Sequence, residues 1–272
     1  MLYYDKGDDY MAKYSNLDKR MKRYEAASDV VLTRRMPVVL RFDGSHFHTF
    51  TKGFAKPFDE IMMRTMQDTM IELCQNIQGA VFGYTQSDEI TIVVIDYQTL
   101  ETDAWFDYRL EKMCSIGASM ASRFFNKHFI ENVQTVFDEK VANSPTKMLS
   151  DTDMAIYNMY TKKFFMADFD CRAFNVPRED VCNCVLWRQK DAEKNSIQAL
   201  AQSLYTHSEL RGISTANLQN KMFTEKGVNW SELSVPKKRG SACRKNNKKW
   251  ELDLNMPIIQ ENREYVEKLI ML

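Results

Sequence analysis

The sequence predicts an α+β fold, a sheet layered with helices and not a regular parallel α/β fold. Three observations carry this. The elements read strand–helix–strand–strand–helix and then strand–helix, which is not the strict alternation that builds a parallel sheet. The strand segments are short, β-branched and apolar, as in VVLRF at 38–42. The segments between them carry apolar stripes at helical spacing.

The elements follow in order. Residues 15–28 read as a short charged helix with Leu17, Met21 and Tyr24 on one face. MPVVLRFDG at 36–44 reads as a buried strand stopped by Asp43-Gly44. Residues 57–78 read as a helix, with Pro57 at its first position, Asp59 and Glu60 at its positive end, and Met62, Met66, Met70, Leu73 and Ile77 as a core stripe. AVFGYTQ at 80–86 and ITIVVI at 90–95 read as a hairpin whose tip, Ser87-Asp88-Glu89, is acidic. A long helix is expected from about Asp103, with Phe106, Leu110, Met113, Gly117, Met120 and Phe124 on one stripe. Residues 138–160 show no clear period and read as loop with a possible short helix. FFMADFDCRAFNV at 164–176 reads as another strand ending before Pro177. A second long helix runs from there to about His207, and a further helix starts at Ser214 and stops at Gly227. The stretch 237–249 reads as a basic tail, holding Lys237, Lys238, Arg239, Arg244, Lys245, Lys248 and Lys249. As a division, residues 1–135 form the catalytic core, and 136–272 complete the sheet and add C-terminal helices and the tail, in one compact unit.

Composition narrows the class. The chain has 272 residues, enough for a sizeable core. Its 37 basic and 37 acidic side chains cancel, so any phosphate-binding surface must be local. No apolar run reaches the ~18–20 residues of a membrane span, so a membrane partner is not expected. Asp5, Lys6, Asp8 and Asp9 interrupt the start, which argues against a signal peptide. None of the six cysteines forms a C-x-x-C pair, which argues against zinc and for reduced thiols in a cytoplasmic protein.

The chemistry is expected where strands end. Asp43 closes one strand and Asp88 and Glu89 sit at the hairpin tip, so neighbouring strand ends would bring three carboxylates together. Clustered carboxylates repel, and Mg²⁺ is the usual reason to tolerate them: it takes oxygen ligands from one or two carboxylates and from substrate phosphates. Two such ions can hold the attacking and leaving oxygens of a phosphoryl displacement. Gly44 lets backbone approach a metal or phosphate, and Ser45-His46-Phe47-His48 could offer N–H groups to a triphosphate. Read alone, Asp43-Gly44 is more often a plain turn than a site, and His46 and His48 are equally strand-edge packing.

Several motifs in one order make a resemblance specific. LDKRMKRYE at 17–25, RFDGSHFHTF at 41–50, GFAKPFD at 53–59, GYTQSDE at 83–89, FDCR at 169–172, Asn175-Val176-Pro177 and WRQKD at 187–191 resemble the tRNA-histidine guanylyltransferase family. The resemblance covers about residues 16–250. It implies a polymerase-palm-like antiparallel sheet packed with helices, and nucleotide addition to the 5′ end of tRNA in the 3′→5′ direction. It also implies two Mg²⁺ ions on Asp43, the Gly44 carbonyl and Asp88, with Glu89 beside them as a third catalytic carboxylate. The triphosphate of GTP or another NTP would lie along Asp43 to His48, with Ser87 near. Lys56 and Asp59 would stand near an activating nucleotide, ATP when the end is a 5′ monophosphate. Arg109 and Lys112 would handle phosphates of the 5′ end, and Arg172, Arg188 and Asn195 would contact tRNA. A homotetramer is implied.

The residues agree with those roles in part. Arg109 and Lys112 lie three apart, as residues clamping one phosphate from one helix face would, although Asp107 and Glu111 beside them also suit a solvated face. The tail reads equally as phosphate contact and as solvated chain. Departures matter more. After W-R-Q-x-D the eukaryotic enzymes carry H-I-N-N-L-Y-N, where this chain has DAEKNSI at 191–197, and Phe58 replaces the Asn of K-P-N-D. That resembles the bacterial and archaeal branch, similar to template-dependent polymerases that repair tRNA 5′ ends. Template-dependent repair is therefore expected ahead of addition of a single G. A palm-like nucleotide cyclase, which needs no RNA surface, and a non-catalytic RNA-binding module rank behind these two.

Overall fold

The computed structural model describes residues 6–271, with side chains from residue 16 onward. The chain opens with α1 (Lys6–Ala26). β1 (Val38–Ser45) passes through one helical turn, α2 (Phe47–Phe50), into α3 (Glu60–Asn76). β2 (Ala80–Gln86) and β3 (Glu89–Val94) form a hairpin. A 3₁₀ turn (Trp105–Tyr108) precedes α4 (Leu110–Asn143), and α5 (Asp151–Thr161) leads into β4 (Asp168–Asn175). Then come α6 (Arg178–Leu204), α7 (His207–Leu210), α8 (Thr215–Lys226), a 3₁₀ turn (Trp230–Glu232), α9 (Val235–Arg239), β5 (Ser241–Asn246), β6 (Lys249–Asp253) and α10 (Glu264–Glu267).

The strands form one six-stranded sheet in the order β4-β1-β3-β2-β5-β6, antiparallel at every pairing. Successive side chains of a strand point to opposite faces. Val38, Leu40 and Phe42 therefore join Ile90, Ile92 and Val94 on one face, under Met66, Met70 and Leu73 of α3 and Met113, Ala121 and Phe125 of α4. Val39 and Val93 point the other way, against Val181 and Val185 of α6 and against Ile259, Val266 and Ile270. Because both faces are covered, β1 and β3 are largely apolar on both sides, with Arg41 and Thr91 as the interruptions, and do not alternate. A third cluster, from Ile197, Leu200, Ala201, Tyr205, Leu218 and Met222, makes the helical part expected late in the chain. The α+β architecture is thus as the sequence predicts. No helix among the described residues is long and apolar enough to cross a membrane.

Several local expectations are corrected. The first helix starts at residue 6, well before 15. α3 starts at Glu60 and not at Pro57, because the Asp59 carboxylate accepts the Met62 amide at 2.9 Å and so ends the non-helical segment. α4 starts at Leu110: Arg109 keeps an extended backbone and bridges to Val31, so it precedes the helix as its N-cap. Most of 138–160 is helical, filled by the end of α4 and by α5 behind its Ser150 cap. The basic stretch is no tail. Its first residues form α9, and the rest forms β5 and β6, with Ala242 and Cys243 buried and the lysines outward. Gly227 does end α8, at φ 65°.

Candidate active site

β1 lies between β3 and β4, and its end carries the acidic group. Asp43 sits directly opposite Glu89 on one side and Asp170 on the other, and cross-strand partners share a face. The Gly44 amide donates to the Asp88 carbonyl at 3.1 Å, closing the strand end onto the hairpin tip. That tip is a two-residue turn, Ser87-Asp88, with Glu89 already the first residue of β3. Ser87 (φ 50°) and His46 (φ 57°) are both left-handed non-glycine residues flanking the carboxylates. Backbone of that kind costs of order 1 kcal/mol or more and collects at functional sites.

Gly44 is required by packing. A Cβ there would stand 2.3 Å from Cδ2 of Phe47, whose ring is buried against Phe50, Phe125 and Phe169. This close approach fixes the turn that carries Ser45 to His48 beside Asp88.

The electrostatics separate the carboxylates. Burial lifts the Asp88 carboxyl above its usual range; a hydrogen bond from Ser87 and one from its own backbone oppose this, and the charge of Asp43 adds to it. Burial also lifts Glu89, against the pull of Arg188 and Arg41. Glu89 is nonetheless committed: Arg188 of α6 places Nε 2.7 Å from its Oε1, with both side chains nearly buried. The charge of Asp43 adds to the rise of both Asp88 and Glu89, and at Glu89 the arginines answer it.

A cleft of about 460 Å³ opens beside this corner. Phe47, His48, Lys56, Asp59, Ser87 and Asp88 line one side of it, and Asn195, Ser196, Lys237 and Lys238 the other. Residues far apart in the sequence and singled out from motifs therefore share one cavity. Lys56 is exposed at its rim. The Asp59 carboxylate is spoken for: besides capping α3 it accepts from the Ala55 amide at 3.0 Å and from the Tyr160 hydroxyl at 2.5 Å.

The remaining expected residues are scattered. Arg109 is held by Asp29 through two contacts, Nε to Oδ1 at 3.0 Å and Nη2 to Oδ2 at 2.6 Å, and neither it nor the exposed Lys112 lines the cleft. Arg188 is buried between Glu89 and Asp191, which corrects the expectation of a surface contact to tRNA. Arg172 is exposed on β4, an edge strand, and Asn195 is exposed on the cleft wall. Of the far wall, the sequence singled out Asn195 alone, as a tRNA contact. Lys237 and Lys238 were visible as charge only, and Ser196, which donates to the Lys237 carbonyl at 2.6 Å, carried no signal.

Among the described residues no group of three or more His, Cys, Asp and Glu side chains is placed to hold a metal ion. The set at the corner is two carboxylates and a backbone carbonyl: Asp43, Asp88 and Gly44. That is the kind of donor set Mg²⁺ takes when substrate phosphates and water complete its shell. The charge of Asp43 raises the Asp88 carboxyl, and a cation at this corner would relieve that repulsion.

Known proteins resemble this chain over most of its length. The family model described as tRNAHis guanylyltransferase matches residues 18–177. A solved bacterial tRNA(His) guanylyltransferase-like protein in complex with ATP is 41% identical, with a TM-score of 0.79 over 94% of this chain and all of that one. A second such structure, in complex with GTP, is 36% identical with a TM-score of 0.75. A probable tRNA(His) guanylyltransferase of Dictyostelium discoideum is 24% identical over 78% of this chain and 76% of its own length. An uncharacterized protein, R259, of Acanthamoeba polyphaga mimivirus is 27% identical over 83% and 76%. With the matched segment running from α1 through β4 and enclosing Asp43, Asp88 and Glu89, the chain belongs to the tRNA-histidine guanylyltransferase family of nucleotidyltransferases.

Proposed function

We propose that this chain is a Mg²⁺-dependent 3′→5′ nucleotidyltransferase that adds nucleotides to the 5′ end of tRNA, and that its task is template-dependent repair of that end. The observation that carries this is that the strand end bearing Asp43 closes onto the Ser87-Asp88 turn, with Asp88 lining a cleft sized for a nucleotide. The likeness to bacterial structures holding ATP and GTP supports a triphosphate as its occupant.

The residues divide the work. Asp43, Asp88 and the Gly44 carbonyl would hold Mg²⁺, which when bound supplies neutralising charge to the transferring phosphate. The turn from Ser45 to His48 and Ser87 flank the triphosphate. Lys56 on one wall and Lys238 on the other bring positive charge to the cleft, while Lys237 is paired with Glu60. The 3′-hydroxyl of the bound NTP attacks the activated 5′ phosphate, and the activating group leaves; ATP supplies that group for a monophosphate end. Glu89, locked to Arg188, holds the strand end and not the substrate.

Addition of a single G is the second reading, favoured by the curated relatives being named tRNA(His) guanylyltransferases. The absence of H-I-N-N-L-Y-N at 191–197 favours repair. The test is extension of a tRNA lacking its first 5′ nucleotide, with Mg²⁺ and each labelled NTP in turn, while the opposing base is varied. Repair requires the added nucleotide to follow that base. G whatever the base supports the second reading, and no addition removes both.

We also propose a homotetramer. Leu17, Met21 and Tyr24 share one side of α1, as their spacing implies, and are all exposed in the single chain.

A further inference from the structure

Outside the cleft, one surface combines an exposed aromatic ring with several arginines. Trp187 of α6 is 52% exposed. The Arg188 guanidinium stacks 4.2 Å from its ring centroid and the Arg41 guanidinium lies 5.7 Å from it. Arg188 is ion-paired with Glu89 and Asp191, and Nε of Arg41, like Nε of Arg188, is buried without a hydrogen-bond partner among the described residues. Arg41 is also the direct cross-strand partner of Arg172 on the edge strand β4. Like charges directly opposite on one face repel; Glu89 answers Arg41 from within, and the exposed Arg172 presents its charge to solvent. Lys190, exposed one turn beyond Trp187, adds charge of the same sign.

The surface is continuous with the active corner. Arg41 and Asp43 are two residues apart on one strand and share a face, about 7 Å from each other along it. On α6, Trp187, Asp191 and Asn195 recur at four-residue spacing, so one stripe runs about 12 Å from the ring to the cleft wall. The Asn195 side chain donates to Asp191 at 3.4 Å along that stripe. An RNA strand whose end lies at Asp43 and Asp88 would bring its neighbouring phosphates over Arg41 and Arg172 and a base over Trp187.

We propose that Trp187 is the stacking platform for the RNA base at the 5′ end being extended, with Arg41 and Arg172 holding the phosphates beside it. This rests on RNA being the substrate, as proposed above, and deepens that proposal by naming where the strand sits. Trp187 is a positioning residue: it presents the end to the carboxylates and touches no reacting atom. Alanine in place of a stacking aromatic weakens single-strand binding by about tenfold to a hundredfold per base.

The test is equilibrium binding of a 3′-labelled tRNA transcript lacking its first 5′ nucleotide, without NTP, and of the same transcript with an abasic 5′-terminal residue. W187A should weaken binding of the intact transcript by about tenfold or more, while W187F stays within about threefold of wild type and GTP binding to W187A is unchanged. The abasic transcript should lose as much on wild type and little further on W187A. Additive losses, equal affinity of W187A and wild type, or W187F as weak as W187A would overturn the platform. If the wild type extends tRNA while W187A binds it normally, only this inference falls. If the wild type neither binds nor extends it, the RNA reading falls as well.

Discussion

Arg188 and Glu89 form an ion pair between α6 and the first residue of β3, Nε to Oε1 at 2.7 Å, with side-chain exposures of 8% and 10%. Asp191 takes the other end of the guanidinium at 2.6 Å. Breaking a buried pair by removing one partner leaves the other charge without compensation, at a cost of about 3–5 kcal/mol. R188A is expected to lose that much stability in urea unfolding, since it strands Glu89 beside Asp43. E89Q, which removes the charge but keeps the shape, is expected to lose less. If R188A unfolds at the wild-type midpoint, Arg188 has no structural role and its assignment to RNA contact returns.

Asp59 is expected to act on stability before it acts on catalysis. Its carboxylate caps α3 and accepts from Tyr160 and Ala55. D59A removes the cap and leaves a buried hydroxyl without its acceptor, together about 2–4 kcal/mol. Y160F, which leaves the cap in place, is expected to lose less than D59A. Urea midpoints of the two variants check this ordering.

Gly44 tests the turn. G44A puts a methyl 2.3 Å from a ring carbon of Phe47, which has no room to retreat among Phe50, Phe125 and Phe169. Overpacking of this kind costs about 1–3 kcal/mol. The expected result is a folded but less stable protein with impaired transfer, because the displaced ring moves the Ser45–His48 turn. Full activity in G44A would show that the turn does not position substrate.

Cys114 on α4 is expected to be the first thiol to react. A hydrogen bond from Cys171 draws its ionisation down to about 7, against burial, with help from the backbone at Ala173, while Cys171 itself is pushed up. Below that pH Cys114 is a thiol and reacts slowly; above it the thiolate dominates. Iodoacetamide labelling followed by peptide mass spectrometry should therefore show Cys114 modified first, with a rate midpoint about pH 7. C171A should move that midpoint back toward the ordinary thiol value. A midpoint near 9 in the wild type would contradict the hydrogen bond.

The central strands were legible because burial on both faces writes itself into the chain as VVLRF and ITIVVI. The meeting of Asp43 with Asp88 followed from strand ends alone. β5 and β6 were not legible: SACRKN and KWELD are short, their buried residues are small, and the outward lysines dominate the pattern. The charge run that suggested a tail is the solvent side of a hairpin added to the sheet. Arg188 misled for the opposite reason. Arginine is seldom buried, and its partner Glu89 belongs to a strand whose contact with α6 no local pattern announces. The cleft's far wall exists only once α6 and α9 pack together.

Single-turnover transfer by D43N and D88N, on the 5′-truncated tRNA with saturating Mg²⁺ and NTP, probes the corner on which everything else depends. Both variants should keep the wild-type circular dichroism and urea midpoint to within about 1 kcal/mol, in the range of substitutions that disturb no packing. Each should lose transfer by a factor of at least about 100, the scale of removing one transition-state electrostatic contact. Transfer at the wild-type rate by either variant would contradict a reaction carried by Asp43 and Asp88.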